Sequence, residues 1–152
     1  MKTALIHTDA SYFPDHHLGS FAFWIEYGND IITLSGILKY ASNSLEAEAM
    51  CICNALYTFL HHDFKDIDRI IIKTDSLHSI NKIKYKDKKH MPFKIAQDLL
   101  KSIKQKHGNS YKFKHVKAHN GLNTNEKIIN NWCDMEARKI GREYIKKQIQ
   151  KY

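Results

Sequence analysis

The sequence is poor in cysteine and has no apolar run long enough to cross a bilayer. Its three cysteines, Cys51, Cys53 and Cys133, are an odd set without the spacing of a disulfide framework, which favours a reducing compartment. The amino-terminal stretch MKTALIHTD becomes polar too early for a signal peptide, and no later segment offers the ~20 apolar residues of a membrane helix. These absences predict a cytoplasmic or otherwise intracellular protein that does not act in a membrane.

Internal repeats, linkers and low-complexity segments are also absent from the sequence. With 152 residues and a hydrophobic fraction of 43%, the chain suits one compact domain with one core and leaves no room for two ordinary domains. We therefore expect residues 1–152 to form a single domain that carries the whole function.

Acidic residues are the minority among the charged ones. Lysine and arginine total 24 against 16 aspartates and glutamates, which gives a formal net charge of +8. Such an excess suggests a polyanionic partner, and nucleic acid is the natural candidate. Because only three of the cations are arginines, the excess also fits a lysine-rich composition that serves solubility alone.

The first part of the chain predicts three strands, at residues 4–8, 21–27 and 31–40. Gly28-Asn29-Asp30, between the last two, is a good hairpin turn, so the sheet begins antiparallel. From Leu45 the apolar residues recur at helical spacing, and a short apolar strand at residues 70–72 follows. A strand, a helix and a further strand imply a parallel crossover.

The second half of the chain predicts a short helix and then a longer one, opened by Pro92 and ended near Gly108. A fifth strand follows at residues 111–116. An apolar stripe over residues 129–144 marks a terminal helix, although Gly141 is a poor helix former. The order βββαβα(α)βα predicts an α/β fold. Its mixed five-stranded sheet has three antiparallel strands followed by two parallel ones, with helices on its faces.

Two aspartates each follow a predicted strand. Asp9 comes just past the first strand, and Asp75 comes just past the fourth strand, before the short helix. Taken singly, Asp9 fits a turn aspartate bonded to its own backbone, and Asp75 fits a helix N-cap. Taken together, they are two carboxylates at the carboxyl ends of strands, where ligand sites form in open sheets.

Glu46 and Glu48 lie in the first turns of the predicted helix and require different explanations. With Asn43 as N-cap, Glu46 falls at the third helical position and is expected to reach back to the cap backbone. Glu48 lies at the edge of the apolar stripe that faces the sheet, with no lysine or arginine nearby in the helix. A buried carboxylate there needs a cation or a proton to neutralise it, whereas a partly exposed Glu48 does not.

Carboxylates of this kind suggest a hard metal ion. Sites made only of oxygen ligands select Mg²⁺ or Mn²⁺ rather than zinc. Two such ions about 4 Å apart activate water on one side of a phosphate and stabilise the leaving oxygen on the other. That chemistry requires three or four carboxylates without a lysine or arginine counterion.

Five short motifs occur in the order, and on the predicted elements, of one enzyme family. They are Thr8-Asp9-Ala10-Ser11, Glu46-Ala47-Glu48-Ala49 with Ala55-Leu56, Thr74-Asp75-Ser76, Val116-Lys117-Ala118-His119-Asn120-Gly121, and Asn130-x-x-x-Asp134. Together they resemble the ribonuclease H family over residues 4 to about 140. The resemblance implies the ribonuclease H-like fold. It also implies an endonuclease that hydrolyses the RNA strand of RNA/DNA hybrids, leaving a 5′-phosphate and a 3′-hydroxyl.

The resemblance also implies roles for single residues. It assigns the binding of two Mg²⁺ or Mn²⁺ ions, and hence catalysis, to four carboxylates: Asp9, Glu48, Asp75 and Asp134. Asp134 rests on the resemblance alone, because helical periodicity places it in solvent. His119 matches a loop histidine that assists proton transfer or product release, and a loop suits a mobile group. A zinc site formed by His115 and His119 is disfavoured, because residues four apart at a strand end share no helical face.

The chain departs from the family where nucleic acid is expected to bind. Residues 12–19 replace a glycine-rich turn, and Leu77 stands where a polar contact residue is common. The segment between Asp75 and His119 is too short for the full basic protrusion of some relatives. Hybrid recognition is therefore less well supported than metal catalysis.

Other residues can contact the nucleic acid instead. Tyr85 lies among lysines that form either a small phosphate-gripping edge or a solvated loop: Lys82, Lys84, Lys86, Lys88 and Lys89. Ser11 and Asn43, beside the predicted site, are candidates for contacts to 2′-hydroxyls in the minor groove of a hybrid.

Two other functions fit the same residues. A DNA nuclease or junction resolvase with a related fold would keep the metals and change the substrate. A noncatalytic hybrid-binding module would gain by losing its carboxylates, and all four are present. We therefore expect an enzyme that acts on RNA/DNA hybrid, with no obligate protein partner evident.

Overall fold

The computed structural model describes residues 2–108, 111–116 and 124–151. Within these ranges the strands are β1 (Thr3–Phe13), β2 (Leu18–Tyr27), β3 (Asp30–Leu38), β4 (Arg69–Thr74) and β5 (Tyr111–His115). The helices are α1 (Ser44–His61), α2 (Leu77–Lys84), α3 (Met91–His107) and α4 (Thr124–Gln150). A 3₁₀ turn, Pro14–His16, joins β1 to β2.

One mixed sheet contains all of these strands, in the order β3-β2-β1-β4-β5. β1 pairs antiparallel with β2, and β2 pairs antiparallel with β3. β4 pairs parallel with both β1 and β5. The predicted α/β fold, with three antiparallel strands followed by two parallel ones, is therefore confirmed.

The first strand is longer than the sequence pattern predicts. Its parallel pairing with β4 ends at His7 and Lys73, but its antiparallel pairing with β2 continues as far as Phe13. The prediction that Asp9 follows the strand is therefore wrong: Asp9 lies inside β1, two residues beyond the end of the parallel ladder. Asp9 and Ser11 interrupt the apolar run of the strand, but Ala10 and Tyr12, which alternate with them, pack against the core. Pairing with β2 on one side extends the strand through these polar residues.

The sheet has helices on both faces, with a core on each. Alternate residues of a strand point to opposite faces, so neighbouring residues of β2 enter different cores. Phe23 lies in the larger core, together with Ile52 and Phe59 of α1 and the apolar residues of α3. Ala22 packs under α4, in a smaller core closed by Trp24 and Trp132, whose rings meet edge to face at 5.7 Å.

Local signals set the ends of several helices. The Asn43 side chain accepts a hydrogen bond from the Glu46 amide at 2.8 Å, so the predicted N-cap of α1 is confirmed. The Glu46 carboxylate, however, accepts from the Ser42 hydroxyl at 2.9 Å instead of reaching the cap backbone. Gly108 ends α3 in the left-handed conformation, at a φ of 66°.

Other elements begin or end a few residues away from the predicted positions. β2 begins at Leu18, where the sequence predicts residue 21, and β3 ends at Leu38 instead of residue 40. α2 extends to Lys84, so part of the predicted polar stretch is helical. Ends of this kind depend on strand pairing and packing, which a local pattern does not report.

The terminal helix is continuous through Gly141, which the sequence marks as its weak point. Gly141 is buried. A Cβ at this position would overlap the ring of Phe13 and lie 3.0 Å from Ser20 Oγ. The glycine therefore serves close packing of α4 on β1 and β2.

Candidate active site

Three carboxylates meet in the middle of the sheet, where the central strand β1 extends past the carboxyl end of β4. Asp9 comes from β1, Glu48 from the second turn of α1, and Asp75 from the residue after β4. One oxygen of each lies within 4.8 Å of the others. Asp9 and Glu48 are half-buried and Asp75 is exposed, so the cluster opens to solvent on one side. Oxygen donors at this spacing suit a hard divalent cation.

One backbone amide serves two of these carboxylates. The Ala10 N–H donates to Asp9 Oδ1 at 2.9 Å and to Glu48 Oε1 at 3.3 Å. Glu48 Oε2 is buried and has no hydrogen-bond partner among the described residues. A buried carboxylate oxygen without a donor is unfavourable unless a cation approaches it, so the residues present fit a metal ion.

The carboxylates hold protons more tightly than free ones do. Burial, together with the charges of Asp75 and Asp134, raises the pKa of Asp9 to about 7. Burial and the charge of Asp9 raise the pKa of Glu48 well above its ordinary value. Partial loss of water, together with the charge of Asp134, raises the pKa of Asp75. Full ionisation of the cluster near neutral pH therefore needs added positive charge.

Asp134 faces the same cavity from α4. It lines a pocket of about 160 Å³ with Asp9 and Asp75, although it lies outside the tight group of three. Arg138 Nε, one turn further along α4, donates to Asp134 Oδ1 at 3.2 Å. Asp134 therefore has an arginine counterion, whereas the described residues give Asp9, Glu48 and Asp75 no ion pair with a lysine or arginine. The sequence carried the signal, since residues four apart on a helix are neighbours.

Behind the carboxylates lies a buried polar contact that no sequence pattern predicted. His7 is 1% exposed, and its Nδ1 lies 3.1 Å from Asn130 Oδ1. Burial lowers the pKa of His7 to about 4, so the ring is neutral near pH 7. Because the Asn130 oxygen accepts, Nδ1 carries the proton, and the Asn130 amide group remains available to the pocket that this residue lines.

A buried ion pair holds the start of α4 against the parallel strands. Lys73 Nζ lies 2.8 Å from Glu126 Oε1, with both side chains largely buried, and Lys114 Nζ lies 3.0 Å from the same oxygen. These cations lower the pKa of Glu126. The pair fixes the helix that carries Asp134 relative to β4, the strand that Asp75 follows. No local pattern marks it, because its partners are far apart in the sequence.

His115 also has a place beside the site. Its Nε2 lies 3.0 Å from the Asp75 backbone oxygen, which can only accept, so Nε2 donates this hydrogen bond. The contact steadies the backbone that carries Asp75. His119, the predicted loop histidine and alternative zinc partner, lies outside the described residues.

The predicted nucleic-acid contacts lie on different elements. Ser11 is half-buried in β1 opposite Ser20, and the oxygen of Asn43 is engaged in capping α1. Lys84 lies in the last turn of α2, with Nζ 5.9 Å from the centre of the Tyr85 ring. Exposed lysines follow in the connection to α3: Lys86, Lys88 and Lys89.

None of the helices in the described part of the chain is both long enough and apolar enough to span a bilayer. In comparisons with known proteins, the family model for RNase H matches residues 1–141. A comparison with curated protein sequences gave no match.

Several solved structures share the fold. RNase H1 from the halophilic archaeon Halobacterium salinarum has 15% identity and a TM-score of 0.67, covering 91% of this chain and 96% of the archaeal one. The N-terminal RNase H domain of a Mycobacterium tuberculosis protein, fused to maltose-binding protein, has 13% identity and a TM-score of 0.69, covering 97% and 99%. LC11-RNase H1 in complex with RNA/DNA hybrid has 14% identity and a TM-score of 0.68, covering 93% and 99%.

Proposed function

Because the chain belongs to the RNase H family and is thus a metal-dependent ribonuclease, we propose that it cuts the RNA strand of RNA/DNA hybrids with the carboxylates described above. The observation that carries this proposal is the meeting of Asp9, Glu48 and Asp75 at one opening, with a buried Glu48 oxygen that has no donor among the described residues. Asp134 completes the acidic wall of the pocket.

The proposed cofactor is Mg²⁺ or Mn²⁺, as two ions. Asp9, Glu48, Asp75 and Asp134 would hold them, since carboxylate oxygens are ligands for hard cations. When bound, such ions supply an activated water for in-line attack on phosphorus and stabilise the leaving 3′-oxygen, leaving a 5′-phosphate on the other product.

The residues of the chain itself prepare that chemistry. The Ala10 amide orients Asp9 and Glu48 together, and the Asp75 carbonyl is held by His115. The neutral His7 ring orients the Asn130 amide beside the pocket, where its N–H groups can donate to a phosphate oxygen. His119 stays a predicted participant in proton transfer or product release.

The proposed partner is RNA/DNA hybrid. A related fold has been solved with such a hybrid, and the net charge of +8 favours a polyanion. Ser11 and Asn43 remain proposed contacts to 2′-hydroxyls, which distinguish RNA from DNA in a wide minor groove. The proposed phosphate contacts of the segment after α2 are Lys84, Lys86, Lys88 and Lys89.

We also propose an intracellular location. Cys51, Cys53 and Cys133 are all free thiols. Burial raises the pKa of Cys53 to about 12 and keeps this thiol protonated. Cysteines that are free and largely buried are typical of proteins in a reducing compartment.

The deciding experiment is cleavage of end-labelled RNA/DNA hybrid by the purified protein. Duplex RNA, duplex DNA and a four-way junction serve as parallel substrates, each in Mg²⁺, Mn²⁺ and chelator. We expect metal-dependent cutting confined to the RNA strand of the hybrid, abolished in Asp75→Asn, which should still bind hybrid. Cutting of DNA or of junctions would favour a resolvase, and binding without cutting in either metal would favour a binding module.

A further inference from the structure

The last helix continues well past the active site and carries much of the positive charge. Residues 135–151 contain six basic and two acidic residues, a net charge of +4 out of +8 for the whole chain. Two of the three arginines, Arg138 and Arg142, lie here. With Lys146 they are spaced by four residues, which puts them on one side of α4 at intervals of about 6 Å.

These cations form a path that begins at the carboxylates. Arg138 lines the active-site pocket, beside Asp134. Arg142 and Lys146 line the neighbouring open groove of about 680 Å³, whose other wall is Tyr12 and His16 at the turn from β1 to β2. We call this the α4 groove.

The charges of the α4 groove are available to a ligand. Arg142 and Lys146 are exposed, and neither has an ion pair within the described ranges. Asp15 also lines the groove, but the two cations outnumber it. An unpaired arginine beside a lysine suits phosphate oxygens, which the planar guanidinium can bind with two parallel hydrogen bonds.

We propose that the α4 groove binds the phosphates of the nucleic-acid strand that extends from the cleavage site, an inference that rests on the proposed function. The order of the cations along α4 supports this occupant, because Arg138 lines the pocket where the scissile phosphate would lie and Arg142, one helical turn further, lines the groove. Asp134 and Lys146 are twelve residues apart, or about 18 Å along the helix, a span of several nucleotides. Tyr12 and His16 add flat surfaces against which sugars or bases can rest.

The α4 groove is distinct from the lysine segment after α2. α3 packs on α1 at one face of the sheet, whereas α4 covers the other face. A substrate at the carboxylates would therefore be held from both helical layers. The α4 groove also gives a role to the turn that replaces the glycine-rich segment of the family, since Pro14–His16 forms one wall of it.

The test compares two double variants that remove the same charge from the last turns of α4 and the residue that follows it. Arg142→Gln/Lys146→Gln removes the groove cations. Lys147→Gln/Lys151→Gln is the matched control, because Lys147 lies about 140° around the helix from Arg142. Affinity for a short and a long RNA/DNA hybrid is measured by fluorescence anisotropy in chelator over a series of salt concentrations, and circular dichroism checks that both variants are folded.

We expect the groove variant to bind the long hybrid more weakly. Its slope of log affinity against log salt should fall by about two units, roughly 0.9 for each lost phosphate contact. The short hybrid should show a smaller loss, and the control should keep most of the wild-type slope. An equal loss of affinity in the two variants would overturn the proposal that the α4 groove binds phosphates. So would an equal loss of affinity for the short and the long hybrid. If the wild-type protein cuts no hybrid, the proposed function itself is contradicted, and this outcome is distinct from a failure of the α4 groove.

Discussion

Asp9 and Glu48 share a single backbone donor, so their negative charges are only partly compensated by the chain. The Ala10 N–H reaches one oxygen of each, and Glu48 Oε2 has no donor among the described residues. These poorly compensated carboxylates destabilise the folded protein when no metal is bound, and they favour the binding of a cation. The stability of the protein should therefore depend on both metal and pH.

The pH dependence follows from the raised pKa of Asp9, about 7 against an ordinary 3.8. Between these values the folded state keeps a proton that the unfolded state has lost, so the metal-free protein should lose stability as pH rises from about 4 to about 7. Mg²⁺ binds the ionised form, so its stabilising effect should grow over the same window.

Thermal unfolding checks this at about pH 5.5 and about pH 8, with chelator and with Mg²⁺. The Mg²⁺-induced rise in Tm should be larger at the higher pH. Asp9→Asn is the control and should weaken the pH dependence in chelator. An equal Mg²⁺ effect at both pH values would contradict the assignment of Asp9 to the metal site.

The two glutamates of α1 provide a matched pair of substitutions. Glu48→Gln should abolish cleavage yet keep or raise Tm in chelator, because it removes a buried charge that Ala10 only partly satisfies. Glu46→Gln should retain cleavage and cost about 1 kcal/mol or less, since an amide oxygen can still accept from Ser42. Cleavage assays and urea unfolding measure both. The opposite pattern would mean that Glu46 is the metal ligand.

At the scale of elements, α4 contributes to the site from the face of the sheet opposite α1. Its first turn is held by the Lys73 and Glu126 ion pair, and its middle carries Asn130 and Asp134 into the pocket. Further along, Gly141 lets the helix approach Phe13 closely. The position of Asp134 thus depends on contacts along the whole helix.

Gly141→Ala tests that close approach. Helix propensity alone predicts a gain of about 1 kcal/mol, because alanine is the better helix former. We expect a net loss of about 1–3 kcal/mol instead, since the new methyl group would overlap the Phe13 ring. Urea unfolding measures the change, and the added substitution Phe13→Leu should recover part of it. A more stable Gly141→Ala protein would show that α4 does not pack this closely.

For the whole molecule, we propose that residues 1–152 form one domain. The two cores lie on opposite faces of one sheet and share β2, where Ala22 belongs to one core and Phe23 to the other. Loss of either helical layer would expose a face of the same sheet. Unfolding should therefore be a single cooperative event.

The two tryptophans allow a direct test of this cooperativity. Trp24 and Trp132 both report on the α4 side of the sheet. Their fluorescence and the far-ultraviolet circular dichroism, which reports all elements, should give the same urea midpoint. A fluorescence midpoint at lower urea would show that α4 separates before the rest unfolds.

Local patterns in the sequence determined most of the elements and the identity of the acidic residues. Asn43, Pro92 and Gly108 mark helix ends because caps and terminators act within a few residues. The hairpin turn and the strand–helix–strand order were sufficient for the mixed sheet. The motifs likewise selected Asp9, Glu48 and Asp75, which the fold brings together.

Only the tertiary structure decided the surroundings of those residues. Asp9 lies inside a strand because β2 continues the pairing that β4 has ended. His7 meets Asn130, and Lys73 meets Glu126, across long stretches of chain. The α4 groove likewise needs the turn after β1 and the end of α4 side by side. A sequence pattern reports periodicity within one element, whereas these contacts depend on how separate elements pack, and that packing sets the charge and hydrogen bonding of the site.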